Sequence, residues 1–230
     1  LYAQGLRSEH AATALGQHIG MAVHESQSRM WENQVGRSRA LWAYFEPRYR
    51  ELFGERLADI SSEELYREIN AVRPTLIRVD SDEVHYNLHI ILRFEIEQAL
   101  FRGDLAVADL PAAWNDKCEE LLGCRPSHDG EGVLQDVHWS GGAFGYFPSY
   151  CLGNMIAAQN WDQARQVLPN LEDEFAAGDF SRLLDWTRRE IHHHGKRYDT
   201  SELVEKVTGK PLSPQPLLAY LRDRYGEIYL

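Results

Sequence analysis

Cysteine is scarce in this sequence: there are three, Cys118, Cys124 and Cys151. A low, odd count excludes a disulfide-stapled secreted scaffold. The C-x5-C interval between the first two fits neither a zinc ribbon nor a redox motif. All three read as reduced thiols, which points to the cytoplasm. Basic charge is also in short supply, with 24 Lys and Arg against 35 Asp and Glu and a net charge of −11. Phosphate backbones are bound by clustered Lys and Arg, so a nucleic-acid partner is not expected. No apolar run approaches the roughly 18 residues of a membrane span, and no signal peptide is visible, so no membrane partner is expected either. Repeats and low-complexity linkers are missing too, and the simplest organisation is a single helical domain over 1–230. There is no initiating Met. The opening LYAQGLRSEH reads like the tail of a helix already under way, as in a chain cut from something longer.

What is present is helical pattern. The stretch HIGMAVHESQSRMWENQ places Ile19, Val23, Met30 and Gln34 near one face, with Ala22 and His24 beside them. Leu41, Trp42, Phe45, Tyr49, Leu52 and Phe53 recur at helical spacing over 39–53. Ser61-x-x-Glu64 is a capping box that starts a helix, and Pro74 ends it. Over 75–79, Thr, Ile and Val favour a short strand. A long helix is predicted over 82–102, closed by Gly103. Its apolar positions nearly circle the axis, the mark of a buried helix. The glycine-dense segment 123–145 reads as loop and strand, where site residues concentrate. Helices are predicted again over 148–168, 171–177, 180–192, 201–208 and 216–225.

Several polar residues stand in apolar surroundings. Glu25 follows His24 on a largely apolar helix, where a carboxylate costs free energy unless it is solvated, paired or bound to a cation. One such pair alone does not bind zinc, which takes three or four ligands. Arg78 lies between Ile77 and Val79. It is either an ion pair with Asp80 or Asp82, or a fork that grips a carboxylate bidentately. Gln135, Asp136, His138 and Trp139 crowd into five positions, and Tyr146 comes after them in GYFP. They form either a core with satisfied polar groups or a pocket that orients a peptide and stabilises developing negative charge. His192, His193 and His194 point about 100° apart if helical, so a helix end is favoured over a metal site.

In order, HESQ (24–27), IRVDSD (77–82) and GVLQDVHW (132–139) closely resemble the motifs of the thermostable carboxypeptidase, or carboxypeptidase Taq, family of HExxH zinc metallocarboxypeptidases. That family is marked by HExxH, then HES/GQ, IRxxAD and GxxQDxHW. LYAQG is similar to the residues directly after HExxHA in family members, and IHHHGKRYD and YLRDRYGEIYL are similar to the family's last helices. The resemblance therefore runs from end to end and identifies the chain as the family's C-terminal half.

The resemblance implies a mainly α fold: one helical lobe of a two-lobed, groove-type metallopeptidase, with a minor β element. It implies that Glu25 is the third zinc ligand, with cobalt as an alternative ion. Arg78 and Asp82 would belong to the closed end of the groove that recognises a substrate's C-terminal carboxylate. Gln135, Asp136, His138 and Tyr146 would line the substrate site, with His138 or Tyr146 donating to the tetrahedral intermediate. A homodimer acting on peptides with a free C-terminus is expected. Two departures stand out. Ser81 replaces the Ala of IRxxAD, a small change. HExxH and the upstream DxRxT do not occur in the 230 residues. HExxH would fall immediately before Leu1 and would supply two His ligands and the general base. The chain alone is thus expected to hold zinc weakly and to be inactive. The alternative is a non-catalytic helical fragment or truncated homologue that binds peptides or a partner.

Overall fold

Apolar residues three and four apart, bracketed by polar caps and glycines, make nearly every element a helix. The computed structural model describes residues 1–230. Its helices are α1 (Tyr2–Gly5), α2 (Met21–Arg29), α3 (Arg39–Phe53), α4 (Ser62–Ile69), α5 (Glu83–Arg102), α6 (Leu110–Leu122), α7 (Pro148–Val167), α8 (Leu171–Ala176), α9 (Ser181–Glu190), α10 (Thr200–Thr208) and α11 (Gln215–Tyr229). Reciprocal capping boxes open α4 (Ser61 with Glu64) and α10 (Asp199 with Glu202). Asp82 caps the start of α5, and Gly103, at φ 80°, ends it. No helix is long and apolar enough to cross a membrane. The three cysteines are free thiols.

The chain divides into two units, one made of 1–70 with 152–230 and the other of 71–151. The first is organised around Val23, Met30, Ile156, Phe175, Leu183 and Trp186. Past Arg29, α2 continues as a π-helix, Met30–Val35, with Gly36 N–H reaching back five residues to the Trp31 carbonyl at 2.8 Å. Two carbonyls at the end of this turn, those of Asn33 and Gln34, accept from the Arg224 guanidinium at 2.6 and 3.3 Å. An arginine of α11 thereby satisfies backbone groups of the widened turn.

In the second unit α5 packs on α6 through Leu92, Ile96, Trp114, Cys118 and Leu122. Tyr86, Ile90 and Phe147 form a smaller cluster. α6 is not among the expected helices, although Leu110, Trp114, Cys118 and Leu122 repeat every fourth residue and Gly123 caps it in the left-handed conformation.

The expected minor β element is not formed. Instead of a strand over 75–79 there is a 3-10 turn at Arg78–Asp80. Side chains take the hydrogen bonds a neighbouring strand would make. The Gln135 carboxamide donates to Leu76 O and accepts from Arg78 N, both at 2.9 Å. His89 Nε2 lies 3.0 Å from Thr75 O. The glycine-dense stretch is likewise turns, closed by short-range bonds such as Ala143 N to His138 O at 2.8 Å.

Arg224→Ala should destabilise the first unit by about 1.5–3 kcal/mol, the range for hydrogen bonds to a charged group. Urea unfolding of the two proteins measures it, and an unchanged midpoint would show that the π-turn does not depend on this arginine.

Candidate functional site

In the second unit the sequence motifs converge on one buried polar cluster. Asp136 is at its centre. Arg78 reaches it through Nη2 and Nε, at 2.6 and 3.0 Å, and Arg93 of α5 through Nε at 2.7 Å. Arg78 and Arg93 are 6% and 0% exposed, so both cations have been taken out of water. Burial alone would raise the Asp136 carboxyl, but the two guanidiniums outweigh it and hold the group below the usual carboxylate range. Burial pulls Arg93 down to about 10, and it remains a cation at neutral pH. Arg78 goes the other way, raised by Asp136 against the effect of burial. Aromatic faces complete the seat: Trp114 lies 4.7 Å from the Arg93 guanidinium carbon and Tyr150 4.9 Å from that of Arg78.

Each polar residue of GVLQDVHW has a partner here. Gln135 Oε1 also accepts from Arg93 Nη2 at 2.9 Å. His138 Nε2 sits 3.0 Å from the Tyr150 hydroxyl, and its Nδ1 lies 3.7 Å from Asp136. Burial and the nearby guanidiniums outweigh Asp136 and lower the His138 pKa, which keeps the ring neutral. Trp139 Nε1 donates to Glu97 at 2.7 Å, and Gly145 N–H donates to the other Glu97 oxygen at 2.6 Å. Tyr146 stands beside His138, ring centroids 5.4 Å apart. Its hydroxyl makes no hydrogen bond within the chain.

The ion pair expected between Arg78 and Asp80 or Asp82 is not formed, because Asp136, 58 residues on, takes the guanidinium. Asp82 is committed to the start of α5. One oxygen accepts from Val84 N and His85 N, and the other from Arg73 N and faces His85 Nδ1 at 2.7 Å.

Residue-by-residue reading missed Arg93, Tyr86, Glu97 and Tyr150. Three of them had a signal. Tyr86, His89, Arg93 and Glu97 lie three or four residues apart, a polar stripe down one side of the helix. The Tyr86 hydroxyl accepts from Arg78 Nη1 at 2.9 Å.

In the first unit, Glu25 rides on α2. Its Oε1 accepts from Arg29 Nε at 2.9 Å, and its Oε2 is 3.4 Å from the Ser28 hydroxyl. The side chain is 20% exposed, so it is not simply a solvated glutamate. It lies on Gly153 of α7, where a Cβ would come within 2.9 Å of it. His24 packs edge-on to His18, with ring centroids 5.2 Å apart.

A family model for the carboxypeptidase Taq (M32) metallopeptidases matches residues 1–225. The chain belongs to this family. It is 52% identical over 229 residues to thermostable carboxypeptidase 1 of Thermus thermophilus, covering 100% of this chain and 45% of that protein. It is 40% identical over 230 residues to carboxypeptidase 1 of Bacillus subtilis, covering 100% and 46%. Among solved structures, the M32 carboxypeptidase of Deinococcus radiodurans superposes with a TM-score of 0.96 at 48% identity, over 99% of this chain and 46% of that one. The Pyrococcus furiosus carboxypeptidase does so with 0.93 at 34%, over 97% and 45%. The chain thus spans less than half the length of the M32 relatives it matches.

M32 membership implies a metal. Of the residues predicted to touch one, the carboxylate of Glu25 has the right chemistry, with an oxygen only weakly engaged by Ser28. No three His, Cys, Asp or Glu side chains come together as a metal site.

His89 lends the second unit a pH dependence. Burial, then Arg93, pushes it down to about 4, so the folded protein keeps it neutral while the unfolded chain protonates it near its ordinary value of about 6.5. The unfolded state then binds more protons between those values, and stability must fall as pH drops through that window. From about pH 7.5 to about pH 5 this one group should remove about 2 kcal/mol. Urea titrations of wild type and His89→Gln should show a pH slope shallower by that amount in the variant. Equal slopes would mean that His89 is not neutral in the fold.

Proposed function

We propose that these residues form part of a metallocarboxypeptidase, which hydrolyses the last peptide bond of peptides with a free C-terminus. The observation that supports this best is the charge of the buried cluster. Two guanidiniums share one carboxylate, so a unit of positive charge is left beneath the surface. A guanidinium offers five N–H groups, of which Asp136 and Tyr86 take three from Arg78. The remaining two suit an incoming carboxylate. Arg93, Asp136 and Gln135 hold Arg78 in place, and Asp82 fixes the start of α5 beside it. Tyr146, with an unengaged hydroxyl, donates to the substrate carbonyl, and neutral His138 orients Tyr150 and the peptide.

Glu25 would hold the metal, zinc or cobalt, together with ligands from outside these 230 residues. A bound zinc supplies Lewis-acid polarisation of a carbonyl and a more acidic water. By itself the chain offers one ligand and no general base from HExxH, so in isolation it binds peptides without cleaving them. Reduced cysteines favour the cytoplasm, and a homodimer is the assembly we propose.

Two measurements test this in the intact enzyme. Glu25→Gln should lower zinc affinity enough that the metal is lost on dialysis, whereas equal zinc content in variant and wild type would remove Glu25 from the ligand set. Arg78→Ala should weaken binding of a peptide with a free terminal carboxylate by about tenfold or more, in line with a charge-assisted hydrogen bond, and leave the C-terminally amidated peptide little changed. The same loss for both peptides would exclude Arg78 as the carboxylate contact.

A further inference from the structure

The His192–His194 tract has no part in the function proposed so far, yet its first member is 0% exposed. His192 Nε2 lies 3.0 Å from Gln27 Oε1, a contact between residues 165 apart in sequence. The roles in that contact are fixed by what surrounds Gln27. Its Nε2 donates to the Ser26 hydroxyl at 3.1 Å, and that hydroxyl donates to Val23 O at 2.7 Å. Gln27 Oε1 is therefore the acceptor, and His192 donates from Nε2. The other ring nitrogen, Nδ1, is buried without a partner. It faces Gly5, where an added Cβ would stand 2.1 Å away. The Tyr2 ring covers the imidazole at a centroid distance of 5.0 Å. The ring is thus walled in on the α1 side and has a single polar task.

That task bears on Glu25. Residues on a helix are about 100° apart, so Gln27 lies about 200° around α2 from Glu25. Holding Gln27 toward the core directs Glu25 to the opposite side of α2. We propose that His192 is a positioning residue for Glu25, acting through Gln27 to set the rotation of α2 about its own axis. This rests on the reading of Glu25 as a metal ligand. Gly153, which leaves room for the Glu25 side chain, and Gly5, which leaves room for the imidazole, are the two close approaches that permit the arrangement.

The test is zinc affinity of the intact enzyme, measured by competition with a chromophoric chelator on variants whose far-UV spectrum matches wild type. His192→Leu keeps volume and removes the donor, and should weaken zinc about tenfold, the lower end of the effect of outer partners on metal sites. His192→Gln restores an N–H near the Nε2 position and should recover most of the affinity. Gln27→Met removes the acceptor from α2 and should reproduce the loss, so the conclusion does not hang on one variant folding. The double variant should bind zinc no more weakly than either single one. Unchanged affinity in His192→Leu or Gln27→Met, alongside a loss in Glu25→Gln, overturns the positioning role alone. Unchanged affinity in Glu25→Gln overturns the ligand reading and the positioning role with it. Equal loss in His192→Leu and His192→Gln also overturns it, because the donor would then be irrelevant.

Discussion

The second unit depends on a single carboxylate. Asp136 is the group that both buried guanidiniums pair with, and neither would remain in that position without it. Stranding a buried cation costs on the order of several kcal/mol. That cost explains why so many other polar groups collect around it. Gln135 spans from Arg93 to the backbone at Leu76 and Arg78, Tyr86 holds the outer edge of Arg78, and the rings of Trp114 and Tyr150 cover the planar faces. A network this densely bonded favours one geometry over several. It holds Arg78 against a carboxylate that it shares with Arg93.

The first unit solves a different problem. Glu25 is placed by the fit of its helix together with one ion pair, to Arg29 four residues on. A glycine on α7 lets the side chain lie flat, and a buried amide–imidazole contact holds the reverse face. The π-turn after α2 leaves two carbonyls for Arg224, so the end of the helix is anchored as well.

Most of the helices could be read from the sequence, because caps and four-residue spacing are local signals. The box at Ser61 and the glycine after Arg102 correspond to what the structure holds, whereas α5 is buried along only part of its surface, with Ile91, Phe94 and Phe101 exposed. The strand over 75–79 could not be judged locally. Thr, Ile and Val favour a strand only where another strand is there to pair with, and here Gln135 and His89 occupy the backbone instead. Motif residues were legible as a group, since Gln135, Asp136, His138 and Trp139 are polar side chains packed tightly in sequence. Their partners were not, because the pairing of Asp136 with Arg78 and Arg93 spans 58 and 43 residues. Nothing in the spacing around His192 pointed to Gln27, and only the folded chain brings the two together.

The carboxamide of Gln135 has a wider effect. By filling the amide and carbonyl sites of 76–78, it abolishes an open strand edge at the segment that carries Arg78. An extended peptide therefore cannot be zipped on there by main-chain pairing, the route many peptide binders use.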